Sequence, residues 1–343
     1  ITEIEQNRYK VSSVKLSKTV MNKLRKNSKK KSSYASNKIE GNPLSEKQVD
    51  EVIERDERKH YLKPEQEVRN YFLALNFLEE KVSKKEKFSQ KLILDVQKLV
   101  EKGASKEKIG LRGPMPPGVL FAVYDSKTGN PDYIPPEYCD IPELLDELVE
   151  YVNTTDDHPL IVAAVVHYQL VTIHPFEDGN GRTARLLSGY IMDLNGYGFN
   201  GIGSLEEYFA YDIDEYYESI QMGLPALYYS GRENPPHPEI WINYFLRMVK
   251  LYSGKVCDLQ LASEEEDIAG SLSFLKGKEK ELLQFLIRNY RGEFTPIEVS
   301  RELSVSNKTV INRLAVLVKN GFAVPVFANQ RIRSYELSEF TKD

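Results

Sequence analysis

Residues 174–185 read HPFEDGNGRTAR and could do chemistry together. His174 is a candidate base at neutral pH. Asp178 is a hard oxygen ligand, suited to a magnesium ion that phosphates also hold. Gly179, Asn180 and Gly181 stand where one apolar stretch ends and another begins. Backbone N–H groups at such a turn, together with a helix N-terminus, make an anion cradle. Arg182 and Arg185 are three residues apart, share a helix face, and can each clamp phosphate oxygens. Each feature alone is an ordinary turn or helix end. A base, a metal ligand, an anion cradle and two cations within twelve residues point to nucleotidyl or phosphoryl transfer.

Positioning these groups needs rigid elements on either side. The run LIVAAVVHYQLVTI at 160–173 is too short for a membrane span of about twenty residues and reads as a buried core helix. A second helix follows over 181–194. Further helical patterns cover 45–60, 64–81, 89–101 and 141–152, and DEYYESIQMG and WINYFLRMVKLY supply two more. In the second of these, Val68, Tyr71, Phe72, Leu75 and Leu78 fall on one face. The Gly- and Pro-rich stretch 110–136 breaks the rhythm, and VLFAVYD, a turn at SKTGN and DYIPP predict a β-hairpin. The basic cluster KLRKNSKKK at 23–31 reads as a solvated face or a flexible arm.

The 343 residues suggest two domains, and the 41% hydrophobic content suffices for a sizeable core. The net charge of -5 argues against wholesale coating of nucleic acid, though not against a local basic face. Cys139 and Cys257 lie far apart with no metal-ligand spacing, which suits a reducing cytoplasm. No apolar signal-peptide stretch occurs near Ile1, and no membrane association is expected.

HPFEDGNGRTAR resembles the signature of the Fic family, H-P-F-x-D/E-G-N-G-R-x-x-R, at every specified position. The likeness extends over about residues 31–252. It includes the helix before the motif, YIPPEYCDIPELLDELVEYVN upstream, and YFAYDIDEYY downstream. The resemblance implies transfer of AMP from ATP to a Ser, Thr or Tyr hydroxyl of a target protein, with pyrophosphate leaving. It implies His174 as the base and Asp178 as the magnesium ligand. Gly179, Asn180 and Gly181 would form the anion hole, Arg182 would sit on the phosphates and Arg185 on the γ-phosphate. Gly181 stands where a kinase-like sister group has lysine, so the AMP-transferring branch fits better. The hairpin would be a flap, 111–136, that aligns the target by strand addition. Tyr216 and Tyr217 match a pair on the adenine side, or are core aromatics; the asparagine that follows the pair in some relatives is missing.

SNKIEGN at 36–42 resembles the family's inhibitory motif. Ser36 and Glu40 are four apart on one helix face. The resemblance implies a helix near 31–41 that presents Glu40 to Arg185 and blocks the γ-phosphate. The other reading is a plain helix end with Gly41 and Pro43 after it, although an acid there faces the unfavourable end of the dipole.

The C-terminal stretch 277–343 holds eleven Lys/Arg and eight Asp/Glu. Its pattern is helix, TPIEVSREL, a helix with Ser306 as N-cap and Gly321 as stop, then two strands around ANQ. This predicts a winged helix-turn-helix, with Asn307, Lys308, Asn312, Arg313, Arg331 and Arg333 available to DNA; the alternative is protein interaction or homodimerisation. The whole is expected to be mostly α: an N-terminal helical region (1–110), a Fic-type core (111–255), a linker or connecting helix (256–276) and the winged helix (277–343). The functional expectation is an autoinhibited protein adenylyltransferase using ATP and Mg2+. The alternatives are a nucleotide-sensing transcription regulator or an enzyme that removes AMP.

Overall fold

The computed structural model describes residues 1–14, 16–55, 58, 60–105, 109–124, 129–222, 237–273, 275, 277–328 and 331–338. The chain is mostly helical and divides into two compact units. One comprises Ile1–Ser13 and Met21–Asp258, the other Val14–Val20 and Leu259–Asp343. In order, the elements are α1 (Thr2–Ser13), α2 (Lys18–Ile39), α3 (Glu46–Glu54), α4 (Lys63–Ser83), α5 (Gln90–Glu101), β1 (Val123–Tyr124), β2 (Pro131–Tyr133), α6 (Ile141–Thr154), α7 (Pro159–Ile173), α8 (Asn180–Leu194), α9 (Glu206–Tyr211), α10 (Ile213–Gln221), α11 (Pro238–Ser273), α12 (Gly277–Asn289), α13 (Pro296–Glu302), α14 (Asn307–Lys319), β3 (Ala323–Ala328) and β4 (Arg331–Leu337). Among the described residues, no helix is long and apolar enough to cross a membrane.

The antiparallel pair α7 and α8 forms the centre of the first unit, with α4, α5 and α6 packed around it. Apolar residues surround α7 on all sides, which is why it sits inside: Leu160, Val162, Ala163, Val166, Leu170 and Ile173 are all buried. Pro159 starts it, where a missing N–H does no harm. The small residues Ala163 and Ala164 let neighbours approach the α7 backbone. Ser188 of α8 donates to Ala163 O at 2.9 Å, and the indole of Trp241 in α11 donates to Ala164 O at 2.8 Å.

The basic cluster at 23–31 is part of α2 rather than a flexible arm. The Lys30 ammonium donates to Glu54 of α3 at 2.7 Å, and Lys29 to Glu79 of α4 at 2.5 Å. Deeper in, Ser32 donates to the buried Glu206 carboxylate at 2.8 Å, which also accepts from Tyr71 at 2.9 Å. Lys29 and Lys30 are therefore ties to neighbouring helices, while Lys23, Lys26 and Lys31 are exposed as the solvated-face reading expects; α2 begins at Lys18, well before the expected inhibitory helix near 31–41. It ends at a left-handed Gly41 (φ 78°), with Gly41 N–H on Lys38 O and Asn42 N–H on Asn37 O. This double bond pattern satisfies the last carbonyls and leaves Glu40 as the C-cap.

The expected hairpin strand over 119–125 is shorter. Among the described residues, only Val123–Tyr124 pairs with Pro131–Tyr133, with a register shift between Val123 and Tyr124. Pro131 and Pro135 on the facing segment have no N–H to donate to a longer ladder, and the SKTG turn, 126–129, lies mostly outside the described residues. Of the two readings of 256–276, linker or connecting helix, the helix is found: α11 runs to Ser273.

In the second unit, α12, α13 and α14 precede the antiparallel pair β3–β4. Leu282, Leu286, Val299, Val310, Leu314 and Phe322 are among its buried core residues. Ser306 caps α14 by accepting from Thr309 N–H, and Gly321 (φ 78°) ends it. Pro325 sits in β3, opposite Tyr335. That is tolerable because β3 is an edge, whereas β4 also meets Phe294 on its other side.

Candidate active site

The site forms where α7 gives way to α8. α7 terminates on His174 in the left-handed conformation (φ 48°), and its N–H still reaches Leu170 O at 3.1 Å. The imidazole Nδ1 pairs with Val171 O at 3.2 Å, which places the proton on Nδ1 and leaves Nε2 as the basic nitrogen. Burial pushes the His174 imidazole down to about 4; the Val171 carbonyl opposes this, and the Arg112 guanidinium adds to it. The ring is thus neutral at physiological pH.

Asn180 staples the loop. Its side-chain amide donates to Phe176 O at 2.9 Å, and its Oδ1 accepts from Phe176 N–H at 3.0 Å. Both ends of that side chain are held by the Phe176 backbone, so the Asn180 N–H is the group placed to meet a ligand. The first helical N–H paired with a carbonyl of this loop is that of Thr183, on Gly179 O at 2.9 Å. The preceding N–H groups form the positive end of α8. Asp178 receives Gly179 N–H at 2.8 Å and Arg182 at 3.4 Å on Oδ1, and Ser105 at 3.5 Å on Oδ2. Its side chain remains partly open to solvent. Among the described residues, no group of three or more His, Cys, Asp or Glu is set to hold a metal. A magnesium ion held by one carboxylate, phosphates and water needs no such group.

The two arginines are both buried, with different partners. Arg182 donates to the fully buried Glu101 at 2.9 Å. Arg185 donates through Nε to Ser36 Oγ at 2.8 Å, through Nη2 to Ser36 O at 3.1 Å and to Glu40 at 2.5 Å, and through Nη1 to Tyr216 at 3.4 Å. Burial would loosen the guanidinium's proton, but the Glu40 carboxylate together with Tyr216 and Tyr71 more than offsets it, and Arg185 is held more firmly protonated than usual. The same Glu40 oxygen lies over Gly181, where a Cβ would come within 2.5 Å of it. A carboxylate therefore rests at the N-terminus of α8, on the face that the motif offers to an anion. Tyr216 is buried, whereas Tyr217 is 45% exposed beside it, with ring centroids 5.2 Å apart.

The hairpin is tied to this loop by Arg112. Its backbone N–H reaches Pro175 O at 2.9 Å, its Nε reaches His174 O at 2.9 Å, and Nη2 reaches Pro136 O. Phe121 lies under the guanidinium at 4.7 Å, 5.9 Å from the His174 ring. A small cleft runs alongside, lined by Arg112, Met115, Leu120, Phe121, Pro136 and Tyr138 among others.

Residues 87–192 match the model of the Fic/DOC family. The chain carries a Fic/DOC domain. Protein adenylyltransferase fic-1 of Caenorhabditis elegans is 46% identical over 67 residues, 19% of this chain and 13% of that protein. Protein adenylyltransferase Fic of Nematostella vectensis is 42% identical over 69 residues, 19% of this chain and 16% of that protein. Each match spans less than a fifth of either protein. Among solved structures, a Fic family protein from Desulfovibrio desulfuricans G20 covers 99% of this chain and 97% of its own, with a TM-score of 0.57 and 20% identity, a likeness of fold. Fic-1 of C. elegans covers 77% and 71%, with a TM-score of 0.58 and 25% identity.

Within the Fic domain, the sequence pattern had not marked Glu101 or Arg112. Glu101 ends an amphipathic helix, where an acid looks solvated. Only the tertiary fold turns it under Gly179 and onto Arg182. This makes a prediction. Gly179 has φ 80°, and a Cβ there would lie 2.6 Å from Glu101 Oε1. Gly179→Ala should destabilise the protein by about 1–3 kcal/mol, the scale of a strained left-handed backbone. It should also displace Glu101 from Arg182. Thermal melting of the full chain checks this, and an unchanged Tm would refute it.

Proposed function

We propose that the protein transfers AMP from ATP to a hydroxyl of a target protein and is held off by Glu40. The observation that carries this is the Glu40 carboxylate resting over Gly181 and paired with Arg185. An anion already stands on the positive end of α8, where a triphosphate would lie. The adenylyltransferase names of the relatives support ATP as the substrate.

In this reading, His174 Nε2 takes the proton of a target Ser, Thr or Tyr hydroxyl. The freed oxygen bonds to the α-phosphorus, the bond to the β-phosphate oxygen breaks, and pyrophosphate departs. Gly179, Asn180 and Gly181 offer N–H groups to the phosphates, Arg182 balances their charge, and Arg185 receives the γ-phosphate. Asp178 would hold magnesium, which neutralises phosphate charge when bound. The flap beside His174 aligns the target segment. Tyr217 remains open enough to border the nucleotide. We read residues 277–343 as a winged helix-turn-helix; the exposure of Asn307, Lys308 and Asn312 of α14 and of Arg331 and Arg333 of β4 supports a surface suited to DNA. The free Cys139 and Cys257 suit a reducing cytoplasm.

The test uses ATP labelled at either the α- or the γ-phosphate, with magnesium, the Glu40→Gly chain and a cell extract. Protein-bound label from α-labelled ATP alone is expected. Label from the γ-position would indicate a kinase. No label, with DNA binding modulated by ATP, would favour the regulator.

A further inference from the structure

Of the four hydrogen bonds that Arg185 donates among the described residues, three go to Ser36 and Glu40 at the end of α2. The fourth goes to Tyr216 of α10. If Glu40 gives way to a phosphate, Tyr216 is the partner that does not belong to the brake. It is not a free-standing hydroxyl. Its oxygen lies 2.8 Å from Nε2 of His167, in the middle of α7. His167 is fully buried in a cage of Phe209, Tyr216, Trp241 and Phe245.

The proton positions follow from what each group can do. A guanidinium only donates, so the Tyr216 oxygen accepts from Arg185. The Tyr216 proton then needs an acceptor, and Nε2 of His167 is in line to take it. Complete burial, reinforced by the Arg185 charge, keeps His167 neutral and so able to accept. The other nitrogen, Nδ1, has no hydrogen-bond partner among the described residues. Its proton is left among the rings, a cost borne for the tautomer that Tyr216 requires. A fixed phenol dipole thus aims its negative end at the guanidinium, in a site dry enough for that to matter.

We propose that His167 and Tyr216 are positioning residues that hold the Arg185 guanidinium for the terminal phosphate, and that Tyr216 does not line the adenine pocket. The proposal rests on the ATP-dependent reading given above. It departs from the expectation that Tyr216 belongs with Tyr217 on the adenine side.

The two placements differ in which nucleotide notices the hydroxyl. In full chains carrying Glu40→Gly, MgATP and AMP binding are measured by calorimetry with and without Tyr216→Phe. The expected result is a roughly tenfold weaker MgATP affinity, the scale of one hydrogen bond to a charged group, with AMP affinity changed less than about twofold. His167→Leu should reproduce this loss, and His167→Gln, whose carbonyl can accept the phenol proton, should recover much of it. Equal losses for ATP and AMP would overturn the proposal in favour of an adenine contact, as would no loss for either. A second readout needs no nucleotide. Rotation of the Arg185 guanidinium about Nε–Cζ, followed by NMR on isotope-labelled protein, should quicken in Tyr216→Phe, and an unchanged rate would overturn the positioning role. If no variant binds ATP, the functional reading fails while this measurement still decides the role of Tyr216.

Discussion

Glu40→Gly should raise the rate of AMP incorporation by about ten- to a hundredfold over the unaltered chain. The figure follows from the contact removed: a hydrogen bond between charged groups contributes about 1.5–3 kcal/mol, and each 1.4 kcal/mol is about a factor of ten in population. The Arg185 side chain is 1% exposed and that of Glu40 31%, so water screens the pair only from the carboxylate side. The gain has two sources. Glycine frees the Arg185 guanidinium and clears the space over Gly181. It also leaves the end of α2 intact, because the backbone bonds donated by Gly41 and Asn42 terminate the helix without help from the Glu40 side chain. Lys29, Lys30 and Ser32 continue to anchor α2. Glu40→Gln, which keeps the bulk and loses the charge, should fall between the two. Initial rates with α-labelled ATP measure the effect, and equal rates for all three chains would sink the idea of a brake.

What the amino-acid sequence revealed in advance was mostly local. The all-round apolar character of α7 announced its burial, and Gly179 announced a turn that other residues resist. The caps at Ser306 and Gly321 were readable because a cap is decided by its own neighbours. The Glu40–Arg185 pair was readable only through likeness to a known motif, since 145 residues separate the partners and no spacing rule links them. Contacts set by the packing of distant helices were not visible. Glu101 looked like a solvated helix end and lies beneath Arg182. The lysines of 23–31 looked like a free face, yet two of them tie α2 to α3 and α4. Tyr216 carried the same signal as Tyr217, two aromatics in a row on a short helix. A rotation of about 100° per residue sends one into the core and leaves the other at the surface.

His174→Ala, placed in the Glu40→Gly chain, should lower AMP transfer by about 10²–10⁴-fold, the usual range for a positioned general base. Its pH profile carries more information than the loss itself. Burial holds the His174 imidazole near 4, below the ordinary value of about 6.5. The neutral, proton-accepting form therefore persists through mildly acid conditions. Activity of the Glu40→Gly chain should stay level as pH falls from 7 and decline only on approaching about 4, whereas an ordinary histidine would halve it near 6.5. The same shift affects folding. Between those two values the unfolded chain binds the proton more readily, so the contribution of His174 to stability is full above the unfolded value and is lost as pH falls toward about 4. Rates must therefore be corrected for the folded fraction, read by circular dichroism at each pH. A base this weak does not ionise a serine or threonine hydroxyl beforehand. The proton moves as the oxygen–phosphorus bond forms and the hydroxyl becomes acidic. An inflection near 6.5 in the corrected rates would contradict the neutral imidazole, and full activity of His174→Ala would remove it from the chemistry.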